Sequence, residues 1–299
     1  MTTPPISQAM IALYDRFTHG TGLSRRDMMA ELARLAGGTA AATALLPLIA
    51  GSASAAGLTS PGDGRVEVSN MRYQGNGAAL SGYMAAPVEG ASRAPKILVI
   101  HENRGLNDHI RDVTRRLALA GFIALAPDLL ARHGETPRTG MNGETAEDIA
   151  RKMIAALDRP TAVGDALAAL TFLNDWEQGR NARPGAVGFC WGGGMVNDLA
   201  VAAGNRLRAG TAYYGPAPSD LSGAAKVKAR MQFHFAGLDD RINATAPAWL
   251  AALEAAGVKV ESWKYEKVNH AFNNDTSEAR YDRAAAQLAW ERTLAWQKG

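Results

Sequence analysis

Three residue types that can jointly activate a nucleophile stand at the ends of apolar runs in this chain: Cys190, Asp239 and His270. Cys190 is the only cysteine among 299 residues, and it sits in Gly188-Phe189-Cys190-Trp191-Gly192-Gly193-Gly194. An apolar run precedes it, and residues 195–203 read as a helix. A strand, a sharp turn and a helix, with the nucleophile at the apex of G-x-C-x-G, lift the sulfur above a sheet. So tight a turn forces uncommon backbone angles at the nucleophile and leaves little room for side chains beside it. It also aims the N–H of Trp191 at the place where an oxyanion would form. Taken alone, the stretch equally fits a buried structural cysteine in a glycine-rich turn; the partner residues decide between the two.

Asp239 follows the run 231–236 through Gly237-Leu238, and His270 follows the run 258–265 through a loop. In that chain order His270 would take the proton of Cys190, and Asp239 would set the tautomer and orientation of the imidazole. Each has a plainer alternative. Asp239 could cap the following helix, with Asp240 as its immediate rival, and His270 could be a loop histidine beside a core Phe272. Asp239 is preferred to Asp240 because it sits nearer the strand end and Ile242 can anchor the loop beneath it. After the run 96–100 the chain reads His101-Glu102-Asn103-Arg104-Gly105. The N–H of Asn103 is a candidate second oxyanion donor, and Glu102, directly after a buried strand, could reach the thiol. His101 and His109 invite a metal reading, but nothing else at ligand spacing accompanies them.

Positioning these groups requires a sheet. Residues 66–68 and 80–85 form an opening antiparallel pair by pattern. Buried strands are expected over 96–100, 122–126, 185–189, 209–214, 231–236 and 258–265, with helices over 113–119, 144–157, 161–176, 195–203, 247–256 and 278–296. A polar loop covers residues 131–143. The alternation predicts an α/β fold: a mostly parallel, doubly wound sheet with helices on both faces and catalytic groups just beyond the carboxyl ends of strands. The chain is 47% hydrophobic and 20% charged, with a net charge of +3 scattered along its length. That argues against a nucleic-acid surface and for ordinary solvated charge. One cysteine means no internal disulfide and no cysteine-based metal site.

Residues 1–55 differ from the rest. Ser24-Arg25-Arg26-Asp27-Met28-Met29 resembles a twin-arginine export signal, an uncharged apolar stretch follows to residue 50, and Ala53-Ser54-Ala55 offers a cleavage site. On that reading the protein is exported to the periplasm. The alternative is an uncleaved helical extension, because Ile6, Met10, Leu13, Tyr14 and Phe17 recur at helical spacing. The apolar stretch is too short and too rich in Ala and Gly for a stable membrane span. Residues 56–64 read as a linker, and residues 65–299 as the α/β domain.

Five motifs together resemble the dienelactone hydrolase (carboxymethylenebutenolidase) family, and with it the α/β-hydrolase fold. They are His101-Glu102-Asn103-Arg104-Gly105, Ala126-Pro127-Asp128-Leu129, the elbow at Cys190, Gly237-Leu238-Asp239 and Asn269-His270-Ala271-Phe272. The resemblance implies a triad of Cys190, Asp239 and His270, a Glu102 that interacts with the resting thiol, and cofactor-free opening of lactones or small esters through a thioester. It further implies that Arg132, shortly after the Pro-Asp-Leu motif, pairs with a substrate carboxylate. The family's second arginine, four residues after the histidine, is replaced here by Asn274. Tyr214 and Trp191 are candidates to line the pocket, or else core packing. The expected partner is a small ester or lactone. An acyltransferase on the same triad, or a binding protein that has lost turnover, are the alternatives; the oligomeric state is left open.

Overall fold

The computed structural model describes residues 5–20, 22–50 and 57–299. Three helices come first: α1 (Gln8–His19), α2 (Arg25–Ala36) and α3 (Thr39–Ala50). Eight strands then build one sheet: β1 (Val66–Gly75), β2 (Ala78–Pro87), β3 (Lys96–Ile100), β4 (Ile123–Asp128), β5 (Gly185–Phe189), β6 (Ala209–Tyr213), β7 (Arg230–Ala236) and β8 (Val260–Tyr265). Their spatial order is β1-β2-β4-β3-β5-β6-β7-β8. The β1–β2 and β2–β4 pairs are antiparallel, and every other pair is parallel. Parallel strands need crossovers, and α4 (Asp108–Leu119), α5 (Ala146–Ala155), α6 (Arg159–Asp175), α7 (Trp191–Ala203), the short α8 (Asp240–Asn243) and α9 (Ala246–Ala255) lie in them, while α10 (Arg283–Lys298) follows β8. The result is the α/β-hydrolase architecture.

The central strands are buried on both faces, which is why β3 after Lys96 is wholly apolar and β5 is apolar or glycine. The register pairs Ile100 with Gly188 and Phe189 with Tyr213, so β3, β5 and β6 end together at one rim. Boundaries move where local chemistry dictates. α4 begins five residues before the apolar pattern because Asn107 caps it, accepting from the N–H of Ile110. α10 begins at Arg283, capped by Asp282, and not at residue 278. β6 stops at Tyr213 because Tyr214 has a φ of 38°.

The helices α1–α3 form a small core of their own, with Met10, Leu13, Phe17, Met28, Leu32, Leu45 and Ile49 buried. α2 and α3 meet at 107°, and among the described residues no single helix is long and apolar enough to cross a membrane. Of the two arginines of the export-like motif, Arg25 opens α2 and pairs with Asp148 of α5, while Arg26 is exposed. The expected cleavage site, Ala53-Ser54-Ala55, lies outside the described residues. Beyond it the expected linker is tied down at Thr59, whose N–H and hydroxyl donate to Asp112 of α4 at 2.7 and 2.6 Å. The helical segment lies over the rim where the strands end. The carbonyl of Ile49 accepts from the hydroxyl of Ser277 and from Nε of Arg280, at 3.1 and 3.0 Å. Gln8 donates to Asn269 at 2.7 Å.

Candidate active site

Cys190 joins β5 to α7 with φ 55° and ψ −118°, a conformation non-glycine residues rarely adopt. The flanking glycines are required sterically. A Cβ on Gly188 would lie 2.2 Å from the carbonyl oxygen of Gly192, and one on Gly192 would lie 2.4 Å from the carbonyl oxygens of Ile100 and His101. The cysteine N–H donates to the carbonyl of Tyr213 at 3.0 Å, which pins the turn to the neighbouring strand. Trp191 is the first residue of α7, so its N–H has no intrahelical acceptor. Its ring stacks on His101 with centroids 5.5 Å apart, and the Arg159 guanidinium covers it at 5.2 Å; the indole serves as packing.

Asp239 combines both roles weighed for it. One carboxylate oxygen accepts from the N–H of Ile242 at 3.3 Å, capping α8, and the other accepts from Nδ1 of His270 at 2.5 Å. Asp240 is exposed. With Nδ1 committed, Nε2 of His270 is the nitrogen left to act on sulfur; it is buried and makes no hydrogen bond. Burial opposes the imidazolium, but Cys190 and Asp239 outweigh it and raise the pKa of His270 to about 10. Burial likewise opposes the Asp239 carboxylate, yet the charge of His270 beside it holds its pKa below the ordinary value. The arrangement favours the imidazolium form of His270.

Glu102 is buried, and one of its oxygens accepts from the amide of Asn274 at 3.0 Å. Asn274, standing where the family resemblance led one to look for arginine, thus anchors this carboxylate. The other oxygen has no partner. Asn103 lines the same cavity and its side chain donates to the carbonyl of Thr18 at 3.4 Å. His101 has both nitrogens engaged by backbone: Leu129 N–H donates to Nε2 at 3.3 Å, so Nδ1 donates to the carbonyl of Glu102 at 2.7 Å. His109 faces Asp275 at 3.2 Å instead of His101.

Two expected substrate contacts are placed elsewhere. Arg132 does not face the cavity; it forms a two-pronged pair with Asp165 at 2.7 and 3.1 Å and donates to the carbonyl of Asn76 at 2.8 Å. A guanidinium so satisfied by the protein's own carboxylate is not available to a substrate. Tyr214 is fully buried behind the site, its ring 4.8 Å from that of His270, so it supports the imidazole and does not line the cavity.

One residue that sequence reasoning passed over reaches the centre of the site. His19, the last residue of α1, places Nε2 3.2 Å from the sulfur of Cys190, and its ring centroid is 4.8 Å from that of His270. Burial, followed by the charges of His270, Arg241 and Arg280, holds its pKa well below the ordinary histidine value, so this imidazole is neutral. No spacing signal links positions 19 and 190. The only hint was the helical periodicity of residues 6–17, which was set against an export-leader reading. The cavity left between α1 and the rim is about 30 Å³. That holds one or two waters and no ester.

The dienelactone hydrolase family model matches residues 80–299. A "Putative carboxymethylenebutenolidase" of Methylorubrum extorquens is 33% identical over 227 residues, covering 73% of this chain and 76% of the relative. One of Escherichia coli O157:H7 is 32% identical over 236 residues, covering 74% of this chain and 83% of the relative. Among solved structures, the "Putative Dienelactone Hydrolase" from Klebsiella pneumoniae superposes with a TM-score of 0.69 at 26% identity. That match covers 78% of this chain and 98% of the other.

Proposed function

The chain belongs to the dienelactone hydrolase family, and from that premise we propose a cysteine-dependent hydrolase that opens lactones or small esters through a thioester acyl-enzyme. The observation that carries the proposal is the orientation of His270. Asp239 holds Nδ1 at 2.5 Å, which leaves the unpartnered Nε2 as the nitrogen that serves the sulfur of Cys190. The thiolate attacks the carbonyl carbon, and the N–H groups of Trp191 and Asn103 receive the oxyanion. As the intermediate collapses, the imidazolium of His270 gives its proton to the departing oxygen. Neutral His270 then takes a proton from water, which attacks the thioester, and the acid leaves as the thiolate is restored. A thiolate is a sufficient nucleophile for a lactone whose leaving group is a stabilised enolate, since little help is needed to expel it.

The substrate reading follows from two placements. Arg132 is neutralised by Asp165, and Asn274 occupies the second arginine position. Both support neutral lactones and esters over carboxylated ones. An acyl substrate reaches the sulfur only when α1 moves away from the rim, because the closed cavity cannot hold one. For residues 1–55, the docking of α1–α3 supports a retained helical extension over a removed leader; N-terminal sequencing of protein from its host decides this. The catalytic proposal is tested with p-nitrophenyl acetate. Wild-type protein should hydrolyse it and yield an acetylated Cys190 on rapid acid quench. Turnover that persists in Cys190→Ala would overturn the thiol mechanism.

A further inference from the structure

His19 brings a third ligand-type atom to a cysteine and a histidine that already face each other. One ring nitrogen from each histidine and the sulfur of Cys190 all lie within 4.8 Å of one another. Around a tetrahedral ion bound at about 2.0–2.3 Å to nitrogen and sulfur, ligand atoms sit roughly 3.3–3.7 Å apart. The 3.2 Å between His19 Nε2 and the sulfur is close to that spacing. Both imidazoles are oriented from behind, as metal-bound histidines are. Asp239 holds Nδ1 of His270 at 2.5 Å, and Nδ1 of His19 lies 3.0 Å from the hydroxyl of Thr18 and 3.3 Å from the carbonyl of Asp15. Nε2 of His270 is buried without a partner, and so is one oxygen of Glu102 on the same cavity wall.

We propose that His19, Cys190 and His270 form a binding site for a borderline-soft divalent cation, zinc foremost, that clamps the N-terminal helices onto the catalytic rim. A thiolate with two imidazoles is a donor set that selects zinc over magnesium or calcium. The cavity of about 30 Å³ leaves room for a water in the fourth position, with the free oxygen of Glu102 as an acceptor for it. The sequence, with one cysteine, led to no cysteine-based metal site; the folded chain adds two imidazoles from distant positions to that one sulfur, which local spacing does not report. Binding releases to solvent the protons that the ligand atoms of Cys190 and His270 carry. The ion takes the lone pairs that hydrolysis would use, so the metal-bound protein is closed and inactive. The site shares Cys190 and His270 with the proposed reaction but does not rest on it, because metal binding is read without turnover.

The test is a titration of the full-length, chelator-treated protein with cobalt(II), followed by absorbance. One cobalt per chain should bind, with a thiolate-to-cobalt charge-transfer band in the near ultraviolet and visible bands of tetrahedral intensity; zinc should displace it. Cys190→Ser should lose the charge-transfer band. His19→Gln, a near-isosteric change, should weaken cobalt affinity at least about 10-fold while leaving the unfolding midpoint of the sheet domain in place. Absence of the charge-transfer band, or an affinity unchanged in His19→Gln, overturns the proposal. Should wild-type protein bind cobalt in this way yet fail to hydrolyse p-nitrophenyl acetate, the proposed reaction falls and the metal site stands.

Discussion

The helical segment of residues 8–50 and the sheet domain bury apolar side chains by the same physics but are joined by different means. Inside the domain, helices and strands share continuous apolar clusters on both faces of the sheet. The segment keeps its apolar residues to itself: Met28, Leu32, Leu45 and Ile49 pack on one another, and among the described residues of the domain only Ala279 packs its apolar side chain against that cluster. What ties it to the domain is largely polar. Arg280 pairs with Asp15 at 2.8 Å, Arg104 donates to the hydroxyl of Tyr14 at 3.1 Å, Arg151 covers the ring of Phe17 at 4.2 Å, and Gln8 reaches Asn269. Polar contacts of this kind contribute about 0.5–3 kcal/mol each and can be exchanged for water. A segment with its own core and a polar seam can lift off as a unit, which is what access to the sulfur requires.

The comparison breaks most visibly at the chemistry. Cys190→Ala should lower ester hydrolysis at least about 10³-fold, and Asp239→Asn by a similar order, through a kcat effect with KM nearly unchanged, as expected when the imidazole loses its orientation. Comparable losses from a change in the segment alone would show that it carries chemistry and not only cover.

A pair of core truncations sharpens it next. Leu98→Ala in β3 and Leu32→Ala in α2 each remove a buried leucine side chain, at a cost of about 2–5 kcal/mol to the unit that holds it. Leu98→Ala should lower the main unfolding midpoint. Leu32→Ala should leave that midpoint and instead expose amides of α1–α3 to hydrogen exchange. A single shared transition in both variants would mean that the two regions fold as one.

A smaller effect is expected at the seam. Asp15→Ala leaves Arg280 without its carboxylate partner and should raise the rate of Cys190 alkylation by iodoacetamide about 10-fold, as α1 spends more time away from the sulfur. An unchanged rate would place the barrier to access elsewhere.

The two facing histidines give opposite pH dependences. His19 is depressed, so its contribution to docking is present above about 6.5 and is lost as pH falls below that, when protonation favours the undocked segment. His270 is raised to about 10, so its contribution is complete below about 6.5 and is lost as pH rises toward 10. Exchange of α1 amides, corrected for intrinsic rate, should therefore accelerate from pH 7.5 to 5.5 in the wild type and not in His19→Gln. Denaturant midpoints of the domain should fall from pH 7 to 10, less so in His270→Gln.

Much of the domain could be read from short-range pattern. A strand buried on both faces must be nearly all apolar, and residues 96–100 and 185–189 are. An elbow that forbids a Cβ on either side must carry glycine, and Gly188 and Gly192 announce the turn at Cys190. Strand ends mark where Glu102, Cys190 and Asp239 stand, since the carboxyl ends of parallel strands share one rim. Arg132 shows where such pattern stops. Its position after Pro127-Asp128-Leu129 was visible, but a carboxylate 33 residues on, Asp165, claims its charge, and no local signal reports that pairing.

By itself, then, the amino-acid sequence determined the sheet, the elbow and the places of Cys190 and Asp239 at strand ends, because periodicity, steric exclusion of side chains and strand-end placement are all written within a few residues of each position. Only the tertiary structure showed where α1, α2 and α3 lie. A helix with one apolar stripe can lie against lipid, a receptor or its own chain, and its sequence looks the same in each case. Packing of α1 against α2 and α3, with the polar seam at Asp15 and Ile49, turns His19 toward Cys190, and that meeting depends on contacts between groups 171 residues apart.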